Sequence, residues 1–497
     1  MIPELRGRFN QGFRAEHYVS LLDLLEQRCG TRIGFRVAET PIFVPLTMLE
    51  AMAAAGADLA HLLIDNPAYL AAARQAIPVD YRVARETAHP NFLTADFGLV
   101  RTAAGELVPR LVEIQAFPSV YGYQDVLCSA YREAFGLPER LGCLLGGLNE
   151  AGYWDLLART VLGGHNPENV VLTEVDPLNQ KTLPDFEVTA RRLGIAVVDI
   201  RSLEAIQNKL YFRNASGRLV PIHRIYNRAI ADELIARRIR LPFDLTRAWD
   251  VEWAGHPNWY FLISKFSIPW LSNGGGLSTT GCINAARPER KRPSGAKAHS
   301  PFSGFSGTAE AVPFQNIARV SEAPAAEAVP FQNPVYATSS SLPGGHAVVP
   351  PAVFLDDFLE RDGRTKLEKA GVRLPPQPGR GNVYSELLLK PLFSFAGKGI
   401  QFDPTQAQLE AIPAGQRANF LLQQRMHFEP TIVTPHGLTQ AEIRILYLWP
   451  DAGRLTPVLS LVRLGRGKMM GVDHNKNQEW VGASAAFFSP EGSPVSK

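Results

Sequence analysis

Cysteine is scarce in this chain: four residues in 497, Cys29, Cys128, Cys143 and Cys282, with no CxxC pair and no histidine-rich neighbour. That spacing excludes a zinc knuckle and a disulfide framework and reads as reduced thiols. No run approaches roughly 18 consecutive apolar residues, so no segment reads as a membrane span. The charged start, MIPELRGRFNQGF, lacks the apolar stretch of a signal peptide. One-sided charge is also missing: 51 Lys and Arg against 48 Asp and Glu leave +3, a balance that points away from nucleic acid and from lipid surfaces. HExxH, GxSxG and Walker A signatures are absent, and His165, His223 and His256 stand isolated. No template for zinc hydrolysis or covalent catalysis remains. These absences together predict a soluble, cytoplasmic protein.

What is present suffices for a large core, since 45% of residues are hydrophobic. Residues 1 to about 90 place apolar side chains at three- and four-residue spacings and read as helices. NFLTADFGLV and LVPRLVEIQAF, around TAAGE, predict a hairpin, and the region from about 165 to 235 alternates strand and helix as a parallel sheet does. From Leu271 to Gly345 the chain is dominated by Ser, Gly, Pro and Ala and contains AEAVPFQN twice. That composition predicts a disordered insertion, because a structureless loop of this length does not belong inside a compact domain. Beyond it, a run of apolar strands broken by turns reads as one strand-rich body.

Three constellations carry chemistry. If Ala104 and Gly105 form a two-residue hairpin loop, positions whose numbers sum to 209 face each other, so Asp96 opposes Glu113. Gln115 shares that face by strand alternation. Two carboxylates and an amide oxygen converge, a hard-oxygen set suited to Mg²⁺, or else a polar, solvated strand face. The second constellation is LLLKPLFSFAGKGIQF, in which Lys390 ends an apolar strand and Gly397, Lys398 and Gly399 form a turn that could admit phosphate oxygens closely, or serve only as a hairpin turn. The third is basic and amide-rich: Glu442 and Arg444 alternate on one strand face, Arg463 and Arg466 follow, and GVDHNKNQEW supplies His474, Asn475 and Asn477. These either clamp an anion or form structural ion pairs. Gln423 and Gln424 close the strand of LLQQRMHF, where amide groups could meet an adenine edge.

Taken together, these residues resemble the ATP-grasp superfamily, specifically its circularly permuted branch of eukaryotic-type glutathione synthetases and glutathionylspermidine synthetases. TADFGLV with PRLVEIQAFPS looks like the family's metal element, moved to the N-terminal side. The resemblance implies Asp96, Glu113 and Gln115 as metal ligands, and Lys265, Lys390, Gly397, Lys398, Gly399, Gln423 and Gln424 as nucleotide contacts. It further implies Arg463 as a catalytic group, with ATP and Mg²⁺ as cofactors, and Arg444, which could clamp an anion from its strand face, is expected to act with it. Two departures stand out: Glu-x-Gln replaces Glu-x-Asn, and KPLFSF lacks the carboxylate that follows Lys-Pro in the family.

The implied fold is α/β, an ATP-grasp core permuted around a small parallel-sheet domain. Residues 1–150 form the helical layer and metal hairpin, 151–258 the Rossmann-like pre-ATP-grasp domain, and 259–270 with 346–490 the nucleotide-binding region. The insertion spans 271–345 and a tail 491–497. The implied activity is ADP-forming ligation of small-molecule carboxylate and amine substrates through an acylphosphate, with no nucleic-acid or membrane partner. A catalytically degenerate ATP-binding scaffold, or an unrelated α/β enzyme with an accidental Gly-Lys-Gly turn, are the alternatives.

Overall fold

The predicted hairpin is embedded in a seven-stranded sheet that gathers strands from both ends of the chain. In this computed structural model the described residues are 1–272, 348–376, 379, 381–394, 397–471, 475 and 477–489. The strand order is Ile42–Phe43, Gly482–Phe487, Thr456–Gly465, Gly437–Leu448, Phe92–Arg101 and Leu107–Gln115, with Ile432–Thr434 paired to Gly437–Leu448. The first pair is parallel and the other pairings are antiparallel.

Both faces of this sheet are covered, and side-chain alternation divides the core accordingly. Ala95, Phe97, Ile443, Ile445 and Tyr447 pack with the helix Leu46–Ile64, whereas Leu446, Leu448, Leu459 and Leu461 pack with the helix Tyr121–Ala134. Leu46–Ile64 is, among the described residues, the one helix long and apolar enough to cross a membrane. Here its Leu49, Met52, Ala53, Gly56, Leu59, Ala60 and Leu63 are buried in the protein's core.

The predicted strand-helix-strand region forms a four-stranded sheet in the order Glu252–Ala254, Arg224–Asn227, Val170–Glu174 and Ala196–Asp199, parallel throughout. The helix Leu183–Leu193 makes the crossover between the last two.

The apolar strands after residue 346 do not form one sheet. Ala352–Phe354, Phe420–Gln424, Leu387–Pro391 and Gln401–Phe402 make a separate antiparallel sheet, while Gly437–Leu448, Thr456–Gly465 and Gly482–Phe487 join the hairpin. Strand pattern specifies faces, not partners, so the division is invisible in the linear sequence.

The segment 271–345 lies outside the described residues except at its start, where Leu271 and Ser272 complete the helix Ser267–Ser272. Ser272 Oγ accepts the Ala352 amide at 3.0 Å and lies 3.1 Å from the Ala352 carbonyl oxygen, to which it donates. The described chain on either side of the segment is therefore joined through Ser272 and Ala352. His474 and residues 491–497 also lie outside the described residues.

Candidate functional site

The hairpin register places Asp96 opposite Glu113, by a route the two-residue loop does not foresee. The strands close at Arg101 and Leu107 around a five-residue loop, Thr102 to Glu106, and the pairs nearest the loop are offset by one from the expected register. A β-bulge between Phe97 and Asp96, with Val112 as the extra residue, restores the offset, so that Asp96 meets Glu113 and Thr94 meets Gln115. Bulges re-aim side chains beside functional sites. This one also frees the Val112 carbonyl, which accepts a hydrogen bond from Lys390 Nζ at 3.4 Å.

Asp96 is almost completely buried and held by two arginines from neighbouring strands. Arg444 Nε and Nη2 grip its two oxygens at 2.5 and 2.7 Å, a bidentate pairing, and Arg463 Nη1 lies 3.1 Å from Oδ2. Arg463 also donates to Glu442, directly across the strand pair. Arg444 Nη1 reaches Ser119 Oγ at 3.3 Å and its Nη2 lies 4.0 Å from Glu113. Glu113 Oε2 is 3.4 Å from Lys265 Nζ, and Lys265 donates to the Ser394 carbonyl at 2.5 Å.

Burial alone would raise the Asp96 pKa, but the charges and hydrogen bonds of Arg444 and Arg463 win and hold it below the ordinary carboxylate range. Glu442 goes the other way: burial pushes its carboxyl up, aided by Asp96 and Glu113 and opposed by Arg463. Burial lowers Lys390 to about 8, with Lys265 lowering it further and Glu113 opposing. The cluster holds three carboxylates, Asp96, Glu113 and Glu442, against four cations, Arg444, Arg463, Lys265 and Lys390, an excess suited to an added anion.

The antiparallel sheet of Ala352–Phe354, Phe420–Gln424, Leu387–Pro391 and Gln401–Phe402 supplies the opposite wall. Lys390 pairs with Leu421, and Leu388 with Gln423, so alternation puts Lys390 and Gln423 on one face. Gln423 is buried, yet among the described residues neither its amide nitrogen nor its amide oxygen has a hydrogen-bond partner, and Ser394 Oγ has none either. An orphaned buried amide costs about 1–3 kcal/mol and marks a place where a ligand's polar edge is expected. Gln424 alternates to the other face, its backbone amide bonded to Pro351.

Gly397 and Gly399 adopt left-handed conformations, φ 72° and 78°, in the predicted turn, and Lys398 is exposed there. Arg466 binds Thr439 Oγ1 and the Glu479 carbonyl, and Asn475 the Met469 and Gly471 carbonyls; these hold a loop together rather than joining the cluster. Sequence reading missed Ser119, Ser394 and Tyr260. The signal for Ser394 is a lone hydroxyl in an apolar strand end. Ser119 and Tyr260 carry none that is local.

The residues fit a nucleotide: buried Lys390 and the amide of Gln423 on one wall, and buried Lys265 facing them beside Glu113. They do not form a ready magnesium site, because Asp96 is committed to two guanidinium groups and, among the described residues, no three-ligand group of His, Cys, Asp and Glu is present. Glu113 and Gln115 are the oxygens left over. The space between Gln115, Phe117, Tyr260, Lys265 and Ser394 is about 10 Å³, room for about one water.

No family model matches the sequence, and no curated protein matches it. Among solved structures, the fold is similar to that of a glutathione synthetase-like effector from Globodera pallida, solved in its apo form. The TM-score is 0.50 over 96% of this chain and 98% of that one, at 9% identity. A structure from Methylobacillus flagellatus, provisionally assigned as a gamma-glutamylcysteine synthetase, aligns over 90% of this chain and 89% of that one, at TM-score 0.34 and 11% identity. The first likeness defines the class of fold, one shared with a glutathione synthetase-like protein.

Proposed function

We propose that this protein is an ATP-dependent carboxylate–amine ligase on a circularly permuted ATP-grasp architecture, joining an acyl donor to an amine through an acylphosphate. The observation that carries the reading is the shared face of Lys390 and Gln423: a buried cation and an unpaired amide, in line on one sheet, opposite Glu113 and Lys265. In this reading Lys390 and Lys265 take phosphate oxygens, Gln423 takes the base edge, and Gly397 to Gly399 form the covering turn. Arg463 and Arg444, fixed in place by Asp96, orient the transferred group; positioning and charge neutralisation supply most of the rate. Magnesium, when nucleotide brings it, would rest on Glu113 and Gln115 and neutralise phosphate charge. In this reading the space of about 10 Å³ beside Lys265 must widen to admit nucleotide.

The commitment of Asp96 to arginines, with Gln115 in place of Asn, favours a second reading: an ATP-binding protein without turnover. Calorimetry with ATP, then ADP release with pooled amino acids, γ-glutamyl peptides and polyamines, separates the two. The ligase reading expects ATP binding that weakens at least roughly tenfold in Lys390→Ala and Gln423→Ala, and ADP release with one acceptor pair. Binding without release supports the second reading. No ATP binding sinks both.

A further inference from the structure

At the end of the parallel sheet remote from this cluster lies a second, larger site. The carboxyl ends of its strands approach the hairpin, where Arg228 binds the Ser119 carbonyl and Asp185. The amino ends, where Glu252 pairs with Arg224, open onto a cavity of about 630 Å³ that also reaches Asp451 and His89 of the central-sheet side. That volume falls in the range of ordinary small-molecule sites, and such sites favour the seam between structural layers.

Its floor is fixed by a buried cation. Arg224 lies 2.8 Å from Glu252 and 2.8 Å from Asp451, and its Nε donates to the Val161 carbonyl at 3.0 Å. Gly163, at φ 59°, makes room for it, since a Cβ there would stand 2.7 Å from the guanidinium carbon. The walls are less spent. Arg85 anchors one nitrogen on the Trp249 carbonyl at 3.0 Å, and neither Arg85 nor Lys209 has a carboxylate within ion-pair distance among the described residues. Arg85 is also held at φ 58°, a conformation that costs a non-glycine residue on the order of 1–3 kcal/mol and clusters at ligand sites. His165 Nε2, a buried atom 3.0 Å from Glu252 but off the hydrogen-bond direction, has no hydrogen bond among the described residues.

Arg224, Glu252 and Asp451 satisfy one another, which leaves Arg85 and Lys209 facing Asp250 across the cavity. An inorganic anion would leave Asp250 unmatched, and a polyamine would meet Arg85 and Lys209. A ligand bearing both charges, held apart by a short backbone, satisfies both sets, and buried Trp253 offers an apolar wall to its side chains. We propose that this cavity binds a zwitterionic short peptide, its carboxylate toward Arg85 and Lys209 and its ammonium toward Asp250. The site is separate from the nucleotide cluster and does not depend on the ligase reading.

Calorimetry with trialanine on the full-length protein, without nucleotide, tests it. Trialanine is expected to bind at millimolar or lower concentration. N-acetyl-trialanine, trialanine amide and inorganic phosphate are each expected to bind at least roughly tenfold more weakly. The exposed charge changes Lys209→Glu and Asp250→Lys, with melting curves confirming the fold, should each weaken trialanine by a similar factor, while Lys390→Ala leaves it unchanged. Absence of binding, phosphate or blocked peptides binding as well as trialanine, or sensitivity to Lys390→Ala in place of Lys209→Glu would overturn the proposal.

Discussion

Both oxygens of Asp96 are held by guanidinium groups, so removing the carboxylate leaves two buried or half-buried arginines facing one another. Breaking a buried pair from one side costs roughly 3–5 kcal/mol, well above the loss of an exposed ion pair. Asp96→Ala is therefore expected to lower unfolding free energy by about that amount in urea titration; a loss within the range of a surface pair would show that the arginines find other partners.

Lys390 makes a pH prediction. Its folded pKa, about 8, lies below the ordinary 10.5 because burial disfavours the ammonium. The unfolded chain thus binds more protons between those values, and stability from this residue rises with pH across that window, by on the order of 3 kcal/mol in full. Anion binding should run the other way, weakening as pH climbs through about 8 and Lys390 loses its charge. A binding profile flat to pH 10 would remove Lys390 from the anion site.

At the scale of elements, the helix Leu46–Ile64 reaches the central sheet through one glycine. A Cβ on Gly56 would stand 2.2 Å from the Tyr447 hydroxyl oxygen and 3.0 Å from the Ala95 methyl, and that hydroxyl donates to the Ala53 carbonyl at 2.8 Å. Helix propensity favours Gly→Ala by about 1 kcal/mol, while overpacking a core costs about 1–3 kcal/mol. Because Tyr447 is fully buried and cannot yield, Gly56→Ala is expected to be net destabilising, by a kilocalorie or more in thermal melts. A raised melting temperature would mean that the helix slides freely on the sheet.

The hairpin shows how much of an element was legible. Apolar alternation located both strands, and the opposition of Asp96 and Glu113 followed from a loop guess. The true five-residue loop displaces the register by one residue, and the bulge at Val112 returns it. No local signal in LVEIQ announces the bulge, which exists because the neighbouring strand, the Val348 carbonyl and Lys390 accommodate it.

At the scale of the whole molecule, Ser272 and Ala352, which lie on either side of residues 273–347, are joined by two hydrogen bonds. The flanking helix and strand thus hold each other directly. Replacing residues 273–347 by a short Gly-Ser linker is expected to preserve a cooperative melt, with stability unchanged or raised by about 1–2 kcal/mol, since closure entropy grows only slowly with length. Loss of cooperative unfolding in the shortened chain would show that the segment carries part of the fold.

Periodicity and composition by themselves determined the helical N-terminal region, the parallel sheet, the hairpin and the compositional break after Leu271, because each depends on residues a few positions apart. They also singled out Asp96, Glu113, Lys390, Gln423, Arg444 and Arg463 as polar residues in apolar strands, whereas Lys265, in the turn between two short helices, entered only through the family resemblance. Only the tertiary structure decided who meets whom. It gave Asp96 to two arginines, separated the late strands into two sheets, set Gln423 and Lys390 on one face, and drew Arg85, Lys209 and Arg224 around a common cavity. Such pairings link residues from tens to hundreds of positions apart, Asp96 and Arg444 being 348 apart, and a strand's pattern states which face is buried while leaving its partner to the packing of the whole.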